Sequence, residues 1–497
     1  MKPFPLTGAR LRRALMWLSA LALAAGALPL YAIALYNHPY YDDYGFSANV
    51  HHVWQETGSL WEVLKSALSS AQNTRLTWQG TYTGTLLSNV QPGVFSESLY
   101  FIGSFFLLTS FIACFLYLLL TVFRRLGLDR TGRVTLACLV VTLLSQFMPD
   151  AAEAFYWFNG GVGNTFVYAL LALSFALMLR LMDKKGAMVG LTALLALLMV
   201  ALGGGSYSGG LFGLCAYALW TLWLFHKKHP RRFHMAGLWA LFLLCFVYSM
   251  TAPGNGVRAG YFPDSPSAPR AIALALYYGA MHMGEFLRLP LIAITLAASP
   301  CLYRAARESR HAFSHPWLCL LLMGGLYCAQ LVPPLYAGVG VGGGRIVNTY
   351  FMSFVVMWLL FAYYVLGWAA RKWTLPPLRG RAHGALLLAS LCLLCLGAQA
   401  ARTNGEALYG VQNLNGPSAA LSILTGEAAR YDAEMTARES LLNDENQPVV
   451  TLSPLTAVPD VFMDDLLTPG AHYDARPALC AYYGKEAIFL AGEEGAP

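Results

Sequence analysis

Ala14-Leu15-Met16-Trp17-Leu18-Ser19-Ala20-Leu21-Ala22-Leu23-Ala24-Ala25-Gly26-Ala27-Leu28-Pro29-Leu30-Tyr31-Ala32-Ile33-Ala34-Leu35-Tyr36 is a run of 23 residues without a charged side chain. At about 1.5 Å of rise per residue it makes a helix of roughly 35 Å, enough to cross a hydrocarbon core of about 30 Å. A secretory signal core is only ~7–15 residues long. The basic Lys2, Arg10, Arg12 and Arg13 ahead of the run therefore read as the flank of a retained anchor. Directly after it comes Asn37-His38-Pro39-Tyr40-Tyr41-Asp42-Asp43-Tyr44. Charge is costly near a bilayer and tends to be kept there for a purpose. The adjacent acids Asp42 and Asp43 are thus the first candidates for chemistry.

The rest of the chain agrees on the class. Of 497 residues, 57% are hydrophobic and only 12% charged, about half the ~25% charge of soluble domains. Eleven apolar segments are expected to span: 14–36, 98–123, 134–149, 164–182, 187–203, 207–225, 234–251, 286–303, 316–337, 349–370 and 384–401. With the N-terminus inside, the inner segments hold 22 of the 33 Lys+Arg, as the positive-inside rule requires. Asp42, Asp43 and the C-terminus then face outward. The expected fold is an all-α polytopic membrane protein of about eleven transmembrane helices, with a small mixed α/β outer C-terminal domain.

Residues 1–401 form the expected membrane domain and 402–497 the outer one. The tail carries 14 Asp+Glu against five Lys+Arg, a net of −9, where the membrane part carries +16. A helix is expected near 418–442, and Val449-Val450-Thr451-Leu452 and Ala487-Ile488-Phe489-Leu490 are strand-like runs. Nine of the ten cysteines lie in or at the ends of spans and one, Cys480, in the tail. One outer thiol gives no disulfide framework. Cys392 and Cys395, at a redox spacing, sit in an apolar helix as packing residues.

The first outer loop, 38–97, is too long for a connector. Ser59-Leu60-Trp61-Glu62 matches a capping box, followed by Leu60, Trp61, Leu64, Leu68 and Ala71 on one helix face. Phe46, Val50, Val53 and Trp54 make an earlier face. Two interfacial helices are expected, with packing of the loop on the spans as the alternative reading. His51 and His52 are expected to be solvated.

Four other outer elements are polar: Asp150–Gly161, Gly203–Tyr207, Thr251–Arg258 and Gly342–Arg345. Arg258 and Arg345 stand on the side where basic residues are scarce, which suits an anionic ligand. Arg75, Arg270 and Arg288 are reserves. The glycine runs lack the Lys-Ser/Thr and the strand–helix context of a phosphate loop.

Taken together, Asp42-Asp43-Tyr44, Glu153-x-Phe155-Tyr156-Trp157-Phe158-Asn159-Gly160, Ala252-Pro253-Gly254-Asn255-x-x-Arg258 and Ala481-Tyr482-Tyr483-Gly484 resemble the GT-C class of membrane glycosyltransferases. They are most similar to a bacterial GT-C-like family near the glucosyltransferases that decorate O-antigen. The resemblance runs over essentially the whole chain. It implies transfer of a sugar from a polyprenyl-phosphate carrier to a glycan, lipid or protein acceptor. Such transfer needs a base for the acceptor hydroxyl and cations for the departing phosphate. The resemblance puts Asp42 first as base, with Asp43 as helper or alternate. Arg258 and Arg345 would clamp phosphate, with Asn255 and Arg75 beside the donor. Glu153 would orient acceptor or sugar, and Tyr156 and Trp157 would stack on a pyranose face or anchor the interface. No cofactor is required; Mg2+ or Mn2+ on Asp42 and Asp43 is the metal alternative.

Two rivals share the compartment. A lipid-linked-sugar flippase would carry internal repeats and mid-span charges, neither of which stands out in this sequence. An O-antigen-type ligase would concentrate its chemistry in a late loop, whereas the long loop here is the first. Membrane lipids are expected partners and nucleic acid is not. The expected location is the bacterial inner membrane, with the C-terminal domain periplasmic. Reporter fusions at Leu126, Lys228 and Lys372 should accordingly read as cytoplasmic and one at Ala419 as outer; a cytoplasmic Ala419 would take the tail off the face that carries Asp42.

Overall fold

The computed structural model describes residues 9–183, 188–374, 380–401, 407–467 and 474–492. Lys2 and several loop cations (Lys184, Lys185, Arg379 and Arg402) lie outside them. Among the described residues, seven helices are long and apolar enough to cross a membrane: Arg10–Tyr36, Glu97–Arg125, Phe158–Asp183, Tyr207–His226, Arg232–Met250, Leu289–Glu308 and Gly344–Lys372. The chain is an α-helical membrane protein. Val189–Gly203, Pro316–Ala329 and Ala382–Cys395 are shorter apolar helices, at the places of three other expected spans. The expected 316–337 segment breaks before a separate turn, Val332–Tyr336, where Pro333 and Pro334 remove amide donors. Arg130–Gln146, at the place of the expected third span, is buried at every residue from Thr135 to Gln146.

The basic segments meet one another. Arg12 pairs with Asp129 at 3.5 Å, and Arg125 pairs with Asp183. Arg371 donates to the carbonyls of Arg307, Ser309 and His311. Burial, Lys227 and Arg371 together hold His311 below its usual pKa.

The first loop is helical, as Asp42–Thr57, Leu60–Thr77 and Tyr82–Asn89. The capping box is half formed. Ser59 accepts the Glu62 amide at 3.4 Å, while the Glu62 carboxylate turns to Lys65 at 2.7 Å. Leu60, Trp61, Leu64 and Leu68 point away from the protein, and Val63 and Ala67 point inward. That leaves one apolar face without a protein partner, the arrangement of an interfacial helix. The helix Asp42–Thr57 differs: Val50 is fully buried with Val63, Ala67 and Val94. For this first helix the alternative reading holds, and it packs inside the protein.

The tail wraps that buried helix. The expected helix at 418–442 is two, Asn415–Leu424 and Glu427–Leu442, separated at Gly426 with φ +78°. Val449–Leu452 and Ala487–Leu490 pair in parallel. Their inner residues Val450, Leu452, Ile488 and Leu490 share a core with Tyr44, Ala48, Leu479 and Tyr482. His51 stacks on Tyr482 with centroids 4.0 Å apart, and His52 bonds the Ala481 carbonyl at 2.8 Å. These histidines are therefore docking groups, because the helix that they cap sideways is covered by the tail.

Asn415–Leu424 is inserted against the first span. Asn415 donates to the carbonyls of Ser145 and Met148 at 3.0 and 3.1 Å, and the Gly416 amide donates to Gln146 Oε1 at 2.9 Å. A Cβ at Gly416 would stand 2.4 Å from the Gly26 carbonyl oxygen, a backbone atom that cannot step aside. Gly416→Ala should therefore cost about 1–3 kcal/mol and make the tail more sensitive to protease in membranes. Gly26→Ala meets only the Gln146 side chain and should cost less; equal melting temperatures for both variants and the parent would refute this packing.

Candidate active site

The acid pair divides into an inner and an outer group. Asp43 is completely buried. Its Oδ2 accepts the Tyr100 hydroxyl at 2.5 Å and the Tyr40 amide at 3.1 Å, and its Oδ1 accepts the Asn159 amide at 2.9 Å. Burial pushes its pKa up to about 7 in spite of these donors. Tyr100 also accepts the Phe158 amide at 2.9 Å, so the start of one long helix is joined to the start of another through this carboxylate. Just ahead of the pair, Tyr41 has φ +37°, a conformation that costs a non-glycine residue about 1–3 kcal/mol. Such strain persists only where the surroundings impose it, and here the Asp43 cluster follows two residues later.

Asp42 is one residue earlier on the same helix and so points about 100° away. It is half-buried, hydrogen-bonded by the Asn159 side chain and acted on by the charges of Arg345 and Arg258. Burial raises its pKa; Arg345, Arg258 and Asn159, in that order, pull it back. Asp42 in the first loop, Arg258 in the 253–259 helix and Arg345 at the start of the 344–372 helix, all expected from the sequence, are thus electrostatically linked.

Each arginine is presented by an aromatic ring and a polar partner. The Arg345 guanidinium lies 4.7 Å from the Trp157 centroid, and both its Nη1 and its backbone amide bond Glu153 Oε2, at 3.3 and 2.6 Å. Glu153 and Trp157 hold Arg345. Gly344 has its reason here: a Cβ would fall 1.9 Å from Asp150 Oδ2. The small residue lets two carboxylates approach the N-terminus of a 29-residue helix, whose dipole favours them. Arg258 lies 5.2 Å from the Trp78 centroid and donates to Gln79 Oε1 at 2.7 Å.

Other expected residues are placed differently. Tyr156 is 1% exposed and its hydroxyl donates to the Leu30 carbonyl at 2.9 Å, so no sugar reaches its face. Every residue from Ala154 to Phe158 is buried, and only Glu153 and Asn159 at the two ends of the segment are half-buried. Trp157 has its face covered by Arg345 and its edge by Tyr40, which makes it a platform for the cation. Asn255 is saturated: it accepts from Tyr207 at 2.6 Å and Gly80 at 3.2 Å and donates to Ser249 and Met250 at 3.0 and 2.9 Å. It ties the Arg258 helix to Gly80. Arg75 stacks on Tyr248 at 4.1 Å. Two hollows in the packing lie elsewhere, one beside Arg12, Asp129 and Cys301 and one beside Trp317, Trp368 and Lys372.

A divalent ion shared by Asp42 and Asp43 fits this geometry poorly. Asp43 is sealed and already accepts three hydrogen bonds, leaving the half-buried Asp42 as a single ligand. The residues not foreseen are Tyr100, Asn159, Trp78 and Gln79; only Asn159 stood within a motif already singled out. Comparison with family models, curated proteins and solved structures finds no match.

Tyr100→Phe keeps the ring and removes the Asp43 donor and the Phe158 acceptor. Stranding these buried groups should cost about 1–3 kcal/mol, visible as a lower melting temperature in detergent. An unchanged melting temperature would mean that the Asp43 cluster does not secure the loop.

Proposed function

We propose that the protein is a GT-C-type glycosyltransferase of about eleven spans. It would use a polyprenyl-phosphate-linked sugar on the outer face of the bacterial inner membrane, where residues 402–497 form a periplasmic domain. The observation that carries the reading is the half-buried Asp42 carboxylate lying under the charges of both Arg345 and Arg258. An acid that is desolvated yet opposed by two cations suits transfer from a lipid phosphate. Asp42 takes the proton of the acceptor hydroxyl while the acceptor oxygen bonds the anomeric carbon. The bond from that carbon to the phosphate oxygen breaks, and the electron pair leaves with the phosphate. Arg345 and Arg258 neutralise the charge that gathers there. Asp43 keeps the helix, and through it Asp42, in place. The apolar face of Leu60, Trp61, Leu64 and Leu68 supports a seat at the lipid surface, level with a lipid-borne donor.

Asp42→Asn should lower transfer about 10²–10⁴-fold in membranes with matched expression and an unchanged melting temperature. Full activity in that variant would remove the main support for an enzyme. The pH profile is a second check. A base with a raised pKa loses activity as pH falls through a value above the ordinary 3.8 of aspartate. Arg345→Gln deletes the strongest charge that lowers this pKa, so the acid limb of kcat/KM should move to higher pH. A limb that stays in place would separate Arg345 from Asp42.

A further inference from the structure

A second cluster lies four residues before Asp42, and nothing in the proposed transfer uses it. His38 and Glu97 are buried, 8% and 6% exposed. Glu439, from the tail helix Glu427–Leu442, meets them, and one ligand atom from each of the three lies within 4.8 Å of the others. Asp432, two turns earlier on the same face of that helix, bonds His38 Nε2 at 2.9 Å. Three carboxylates therefore surround a single imidazole.

The two nitrogens of His38 are used unequally. Nε2 is engaged by Asp432, and Nδ1 is on the side of Glu97. Nδ1 is buried and makes no hydrogen bond. Its separation from Glu97 Oε2 is 3.7 Å, beyond hydrogen-bond length. Two tetrahedral ligands of one ion, each about 2.0–2.1 Å from it, stand roughly 3.3–3.4 Å apart. The spacing suits a shared ion better than a shared proton. A carboxylate on the far nitrogen is also the usual second support of a metal-bound histidine, since it fixes the tautomer and aims the ring.

We propose that His38 Nδ1, Glu97 and Glu439 bind one divalent transition-metal ion, with Asp432 orienting His38. One imidazole and two carboxylates favour Zn2+ among common ions. The ion joins the tail to both sides of the acid pair. His38 leads into the helix of Asp42, and Glu97 opens the segment that ends in Tyr100, the donor to Asp43. Its role is to fasten the tail over the loop, and it does not depend on which sugar is moved.

The test uses the full-length protein in detergent. Metal content is measured by mass spectrometry as purified, after chelation, and after incubation with Zn2+ followed by desalting. We expect about one Zn2+ per chain, a lower melting temperature after chelation, and recovery with Zn2+. Co2+ in its place should give visible absorption bands of low-coordinate cobalt. Glu439→Gln should abolish both the bound Zn2+ and the bands, and Asp432→Asn should weaken binding roughly 10–100-fold. No Zn2+ retained by the parent protein after incubation would overturn the site. So would binding that survives unchanged in Glu439→Gln, which would place the ion elsewhere. The Co2+ spectrum of the parent decides the matter even where a variant fails to fold, because bands lacking in it would count against the site. Sugar transfer enters none of these readouts.

Discussion

A carboxylate removed from water must be given donors by the protein or it will not stay charged. Asp43 is that group here, and it draws its donors from three separate stretches: the Tyr40 amide, the Tyr100 hydroxyl and the Asn159 amide. Whatever satisfies Asp43 therefore also fixes how the first loop, the second long helix and the Phe158 turn stand to one another. The rotation of the Asp42–Thr57 helix follows from this, and with it the direction of the neighbouring carboxylate. Two adjacent acids on a helix cannot both point at the same place, and the chain uses the difference.

The same logic extends to the cations. Long flexible arginines are poor positioners unless something narrows their freedom. Arg345 is narrowed by the Trp157 face and the Glu153 carboxylate, and Arg258 by Trp78 and Gln79. Asn255 and Gly344 act one step further back. The first holds the Arg258 helix to Gly80, and the second admits Asp150 to the turn that carries Arg345. Glu153, Trp157 and Asn255, expected beside the substrate, hold the two arginines or the helix that carries one of them.

Features written over a few neighbouring residues were legible from the sequence. The Ser59 cap, the two tail strands and the outward face of Leu60 and Leu64 needed only local pattern, and all are present. Charge scarcity in a membrane chain drew attention to the acid pair and to Arg258 and Arg345, and the charges of both arginines act on Asp42. The division between Asp42 and Asp43 was not legible. It depends on Tyr100 and Asn159, 57 and 116 positions away, and no local period reports that. Tyr156 and Trp157 show the limit on a smaller scale: one ring is sealed against Leu30 and its neighbour carries a guanidinium. His51 and His52 were misjudged because the helix they lie on is covered by residues from the far end of the chain.

That cover has a bearing on how the protein comes to exist. Membrane helices are threaded into the bilayer in the order in which they are translated, and His38 meets its partner Asp432 only 394 positions later. At about 5–20 residues per second, the ribosome needs roughly 20–80 s to close that gap. Throughout this interval the acids next to the first span lack their lid. The parallel ribbon that walls in Tyr44 is completed only with Ala487–Leu490. The first part of the site to be made is thus the last to be covered, and a chain interrupted before its final strand carries the acids with their donors in place but without the wall over Tyr44.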